Sequence, residues 1–272
     1  MDGSTYAFIG CGSIAAAICA GALASGEVKG GDVFAYDVNP EARRSFCDSF
    51  GANSSNGVKG AAERADLIFL AVKPAVCALV VSEIAEIIQN GAIGQKNGMI
   101  VSLAAGVTLG SLMERLPDGV PLARAMPNLN MASRAGVAAL CFNEHADEAR
   151  RERARGFFRL VGSVFELAEA EFDLFTTLAG CAPAYTYMFI DALAKGAHKN
   201  GMNKRLATRI AAETVLGSAR ALLESAESGV HAYQMTDNVC SPGGMTIKGV
   251  CALDSGAFTG LVASAVEASL KG

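Results

Sequence analysis

The stretch Ala7-Phe8-Ile9-Gly10-Cys11-Gly12-Ser13-Ile14-Ala15-Ala16-Ala17 constrains this chain more than any other: an apolar run breaks into glycines and resumes as an alanine-rich helix. A second apolar run, Val33-Phe34-Ala35-Tyr36, ends on Asp37. Strand, glycine turn, helix, strand and carboxylate in that order are the parts of a dinucleotide-binding Rossmann unit. Gly10 permits the tight turn, Gly12 lets the backbone approach a pyrophosphate, and Ala15 is small where helix and strand must pack closely. Free amides at the helix start, together with the helix dipole, favour anionic phosphates.

Composition narrows the rest. With 272 residues the chain has room for one large domain or two ordinary ones. Its net charge of −4 and lack of a long basic run argue against a nucleic-acid partner. Eight cysteines, at 11, 19, 47, 77, 141, 181, 240 and 251, form no C-x-x-C pair. No zinc ribbon or other metal site is therefore expected, and buried free thiols in a reducing cytosol are. Thr5 to Ser25 carries no charge, yet Asp2 precedes it and glycines interrupt it, so it reads as a buried strand and packed helix rather than a signal or membrane span. A soluble, cytoplasmic protein that does not engage membranes is the expectation.

Strand-like runs recur at Tyr6–Ile9, Val33–Tyr36, Leu67–Val72, Met99–Leu103, Pro121–Ala125 and Val137–Phe142, with Val161–Leu167 as a last short one. Helical stretches at Ile14–Ala24, Pro40–Phe50 and Ala75–Ile88 alternate with them, and Asn39 before Pro40 is a fitting N-cap. Such alternation implies an α/β fold, a doubly wound and mainly parallel sheet covered on both faces. Beyond about residue 167 the pattern turns helical: one helix from Pro183 toward His198, another from Lys204 to about Ser225, a polar irregular segment from Tyr233 to Gly244, then short helices near Thr246–Leu253 and Ala257–Leu270. Two domains are expected, 1–166 for the dinucleotide and an all-α 167–272.

Chemistry should gather where strands end, since ligands of doubly wound folds bind at the carboxyl edge. Leu70-Ala71-Val72-Lys73-Pro74, Ser102-Leu103-Ala104-Ala105-Gly106-Val107 and Arg124-Ala125-Met126-Pro127-Asn128 all occupy such places. The helical part supplies Ala179-Gly180-Cys181-Ala182-Pro183-Ala184-Tyr185 and Thr236-Asp237-Asn238-Val239-Cys240-Ser241-Pro242-Gly243-Gly244-Met245-Thr246. In the latter, two glycines followed at once by a helix start resemble an anion cradle, although a flexible surface loop would read the same way.

Taken together, these segments make the chain resemble the pyrroline-5-carboxylate reductases, essentially end to end from Phe8-Ile9-Gly10 to Val266-Glu267-Ala268. Ala71-Val72-Lys73-Pro74, Met126-Pro127-Asn128 and Asp237 to Thr246 are the most specific pieces. The resemblance implies an N-terminal Rossmann domain and a helical C-terminal domain that interlocks with a second copy. A homodimer at least, with a larger ring of dimers as a further assembly, follows from it. It further implies that Gly10, Cys11, Gly12, Ser13 and Ile14 contact the pyrophosphate of NADH or NADPH. Ala71, Lys73 and Pro74 would line the ribose and nicotinamide side, and Asp37, Asn56, Val72, Ala105 and Asn128 complete the cofactor set. A cyclic imino acid would be held by Ser241, Gly243, Gly244, Met245 and Thr246, chiefly through its carboxylate, with the Thr246 hydroxyl on the ring nitrogen. Two segments depart from the family pattern: Ala179, Cys181 and Ala182 replace residues of Ser-Gly-Ser-Gly-Pro-Ala-Tyr, and Leu129-Asn130 replaces the Thr-Pro that usually follows Met-Pro-Asn.

Reducing an imine takes a hydride on carbon and a proton on nitrogen, and the imine can arrive protonated, so no strong acid is demanded of the protein. His145, His198 and His231 stand isolated in the sequence, and Thr246 is the preferred catalytic contact. Asp37 can accept from a free ribose 2′-hydroxyl and repels a 2′-phosphate, which predicts NADH over NADPH unless Arg43 and Arg44 offset it. Two other readings stay open. One is a β-hydroxyacid-type dehydrogenase using Lys195 as acid–base group; the other is a non-catalytic NAD(P)-binding paralogue, suggested by residues 179, 181 and 182.

Overall fold

The computed structural model describes residues 3–91, 98–226 and 228–270. The chain divides into two compact units, Met1–Gly180 and Cys181–Gly272.

In the first unit the apolar runs become eight strands: β1 Tyr6–Ile9, β2 Val33–Tyr36, β3 Asn53–Ser54, β4 Leu67–Leu70, β5 Met99–Ser102, β6 Leu122–Pro127, β7 Gly136–Phe142 and β8 Gly162–Glu166. They form one sheet in the order β3-β2-β1-β4-β5-β6-β7-β8. Every neighbouring pair is parallel except β6 and β7. The helices between them are α1 Ser13–Ala24, α2 Pro40–Phe50, α3 Val58–Ala62, α4 Pro74–Gln89, α5 Leu109–Met113 and α6 Glu148–Arg159, and α7 Phe172–Phe175 follows β8.

Strand residues alternate between two apolar layers, which is why the runs read as continuously hydrophobic. On β1 and β4, Tyr6, Phe8, Leu67 and Phe69 face the layer completed by Ile18 of α1, Phe46 of α2 and Phe157 and Phe158 of α6. Ala7, Ile9, Ile68 and Leu70 face the other, with Val58 of α3, Val81 and Ile84 of α4, and Leu112 of α5. Phe69 stacks on Phe8 with ring centroids 4.8 Å apart and meets Phe157 at the same distance. Each such ring contributes on the order of 1.5–3 kcal/mol by burial. Asn39 caps α2 as its sequence suggests: Oδ1 accepts from Glu41 N at 3.0 Å, and Pro40 takes the first helical position.

The second unit comprises α8 Ala182–Lys199, α9 Lys204–Ala226, α10 Ala232–Asn238, α11 Met245–Ser255 and α12 Phe258–Leu270. Part of the segment expected to be irregular is therefore helical: α10 forms because His231, extended at its N-cap, accepts from Gln234 N. Among the described residues of this unit, the buried apolar ones are the alanines Ala194, Ala207 and Ala211. Polar ties join the helices instead. Asp191 of α8 receives Lys204 of α9 at 2.5 Å and Lys195 at 2.7 Å, and Tyr185 Oη lies 2.5 Å from Ser269 Oγ of α12. No single described helix is long and apolar enough to cross a bilayer; α11 and α12 reach that length only as a pair bent by 50°.

Candidate functional site

The order of the sheet reverses between β1 and β4, and a crevice opens at the carboxyl ends of strands at such a switch point. Gly10 sits there. Its N–H donates to Tyr36 O at 2.8 Å, while Ala71 N donates to Ile9 O at 2.8 Å, so the turns after β1 and β4 lie side by side. Gly10 has φ +102°, and a Cβ would stand 2.5 Å from Ala71 O; only glycine fits. Gly12 is different: its φ is −78° and an added Cβ would meet nothing within 4 Å. Nothing in the fold demands a glycine at Gly12, whereas a phosphate lying against the backbone does. No side chain caps the start of α1 and its first turn holds no acidic residue, so the amides of that turn are left for a ligand. A dinucleotide's pyrophosphate fits this arrangement.

Asp37 holds the turn in shape. Oδ2 accepts from Cys11 N and Oδ1 from Asn39 N, both at 2.8 Å, tying the glycine turn to the start of α2. Burial, reinforced by the Asp37 carboxylate, pushes the Cys11 thiol up to about 12, so this side chain of the glycine turn stays neutral. Arg43 of α2 lies over the Tyr36 ring at 5.8 Å and donates to Ser55 O at 2.9 Å. Arg44 is exposed, as is Asn56, which follows the buried Ser55. Along the same edge, Ala71 and Val72 are half-buried, Lys73 and Pro74 are exposed at the start of α4, and Ala105 is exposed beyond β5.

The end of β6 carries features that reading the sequence did not assign. Arg124 is buried, pairs with Glu169 Oε1 at 3.1 Å and lies 4.6 Å over the Phe172 ring. The same Glu169 oxygen accepts from Leu109 N at 2.8 Å, at the start of α5. Asn128, also buried, donates from Nδ2 to Ala179 O at 2.9 Å and accepts at Oδ1 from Val137 N at 3.3 Å. Ala179 lies within a π-helical turn, Thr176–Cys181, just ahead of α8. The signal for that turn was Pro183, a residue without an N–H placed early in a helix, but its partner is far away in sequence.

In the second unit Ser241-Pro242-Gly243-Gly244 make a tight turn, with Gly243 at φ +68° and Gly244 N donating to Ser241 O at 3.0 Å. Gly244 then caps α11, again without a side-chain cap, leaving Met245 and Thr246 exposed in its first turn. Lys195 is exposed and ion-paired with Asp191, a surface arrangement. The histidines have local partners: Glu144 for His145, Met202 O for His198 and Gln234 N for His231. The residues expected on the cofactor side thus lie in the first unit, and those expected on the substrate side in the second.

Comparison with known proteins matches both units. Residues 5–106 match the family described as NADP oxidoreductase, coenzyme F420-dependent, and residues 169–272 match the pyrroline-5-carboxylate reductase dimerisation family. A pyrroline-5-carboxylate reductase of Escherichia coli strain K12 is 36% identical over 97% of this chain and 94% of its own length. A Coxiella burnetii pyrroline-5-carboxylate reductase structure superimposes with a TM-score of 0.85 at 30% identity, covering 99% of this chain and 97% of that one. The Plasmodium falciparum pyrroline carboxylate reductase, solved with NADP bound, gives a TM-score of 0.85 at 25% identity, covering 100% and 97%.

Proposed function

The chain belongs to the pyrroline-5-carboxylate reductase family, and from that premise we propose how its residues carry out an NAD(P)H-dependent reduction of 1-pyrroline-5-carboxylate to L-proline. The observation that carries this reading is relatedness at 36% identity across 97% of the chain, joined to a glycine turn built for a pyrophosphate.

Gly10 to Ile14 take the pyrophosphate on the amides that open α1. Ala71, Lys73 and Pro74 line the ribose and nicotinamide side, and Asn56, Val72, Ala105 and, at its backbone, Asn128 complete the cofactor set. Bound dihydronicotinamide supplies the hydride. The protein's work is orientation: the substrate carboxylate rests on backbone amides at the start of α11, from Ser241 through Met245, and Thr246 Oγ1 hydrogen-bonds the imine nitrogen. Asp37, with a lone pair to spare on each oxygen, accepts from an unesterified ribose 2′-hydroxyl, so NADH is preferred. The dimerisation domain makes the working form a homo-oligomer, and we place it in a ring of dimers in the cytoplasm, a setting that suits eight free cysteines. The relatives do not favour the hydroxyacid reading, and Lys195 is held in an ion pair.

An NADH consumption assay across cyclic imino acids and 2-keto acids tests this. Oxidation with 1-pyrroline-5-carboxylate, strongly reduced in Thr246→Val and retained in Lys195→Ala, is the expected outcome. Turnover confined to 2-keto acids, or lost with Lys195→Ala alone, would overturn it.

A further inference from the structure

Pro183 leaves a gap in the backbone hydrogen-bonding ahead of α8, and the side chain of Asn128, just past the end of β6, closes it. Pro127 ends β6 opposite Ala138 without an N–H to offer, and the Asn128 side chain carries the pairing one step on by accepting from Val137 N. Pro183 cannot donate to the carbonyl four residues before it, which is that of Ala179. Its ring also crowds that carbonyl in a regular α-helix, and the extra residue of the π turn at Thr176–Cys181 relieves the crowding. Asn128 Nδ2 supplies the donor that Pro183 lacks. The two partners fix the orientation of the amide, because a carbonyl must face NH2 and an N–H must face oxygen. Asparagine offers a donor and an acceptor at this reach; aspartate offers no donor and leucine neither.

On these grounds we propose that Asn128 is a positioning residue for the reduction: through Ala179 O it pins the π turn to the carboxyl end of β6, on the edge that holds the glycine turn. Arg124, on the same strand, binds Glu169, which precedes the π turn in the chain, so β6 holds the approach to α8 at two points. A half-buried carbonyl without its donor leaves the turn freer to shift, and a shift of about 1 Å near reacting atoms is felt in the chemical step. This inference rests on the proposed function for its kinetic consequence but not for its geometry.

The experiment is a double-mutant cycle between Asn128→Ala and Pro183→Ala in the full-length enzyme, read by kcat, KM for NADH and Tm. In the Pro183 background, Asn128→Ala should lower kcat with 1-pyrroline-5-carboxylate by about tenfold or more while KM for NADH changes by less than about threefold. Asn128→Asp, which keeps the acceptor and loses the donor, should behave like Asn128→Ala. With Pro183→Ala, residue 183 regains an N–H, and removing Asn128 should then cost less than about threefold in kcat and correspondingly less in Tm. Should Asn128→Ala fail to fold alone, recovery of a folded protein in the Pro183→Ala background reads the same coupling. Equal losses in both backgrounds, or an Asn128→Ala variant as active as wild type, would overturn the proposal. A wild type inert toward every imine would instead remove the proposed function, with the Tm cycle still deciding the coupling.

Discussion

A single carboxylate, that of Asp37, spans the two turns between which a dinucleotide would lie. Both of its oxygens already receive backbone N–H groups, so its charge is partly spent on the shape of the glycine turn before any ribose arrives. Hydrogen bonds to an ionised group are worth about 1.5–3 kcal/mol, enough to matter for the turn and for cofactor choice alike. Asp37→Ser should therefore move the NADH to NADPH ratio of kcat/KM by about tenfold or more toward NADPH, and should weaken NADH in absolute terms. Steady-state kinetics with each cofactor checks it; an unchanged ratio would show that the carboxylate serves the turn alone.

Asp191 shows what holds the helical elements together where apolar packing is thin. Its hydrogen bonds from Lys195, then Lys204, hold its carboxyl down at about 2, below the ordinary carboxylate range. A depressed folded value adds stability above the unfolded value of about 4, and that stability is lost as pH falls through 2. Wild-type Tm should consequently fall more steeply between about pH 4 and 2 than that of Asp191→Asn, with the difference shrinking in 1 M salt because the group is exposed. Legibility in the sequence differed between elements for comparable reasons. Helix α2 could be read residue for residue, because Asn39, Pro40 and Gly51 mark its ends. Helix α6 went unread: its sequence is dense in arginine and glutamate, and Ala154, Phe157 and Phe158 alone turn inward. Asp147, which accepts from Arg150 N, was the available sign. The π turn was only half legible: Pro183 marks a break in the helix, but the donor that replaces its missing N–H comes from Asn128, and no local pattern reports a contact so distant in the chain. The glycine turn, by contrast, announces itself in consecutive residues, even though Asp37 and Ala71 O complete it from other strands.

For the whole molecule, the two halves differ in how they are built. The sheet unit buries aromatic rings in layers, whereas α9 leaves Leu206, Ile210, Leu216 and Leu223 exposed, the last at 74%. Exposed leucines at this density mark a surface meant to be covered, in keeping with the dimerisation family that spans 169–272. Leu216→Glu combined with Leu223→Glu should shift the protein toward monomer in light scattering, lower its Tm and abolish turnover. A fully active dimer carrying both changes would remove α9 from the interface. Among the described residues of the helical unit, three alanines are the buried apolar ones, so little apolar interior holds that unit together by itself. A copy without a companion keeps the core of its sheet unit, but its helical unit lies open to proteases. Scarcity of the chain would then speed its own clearance, and abundance would protect it.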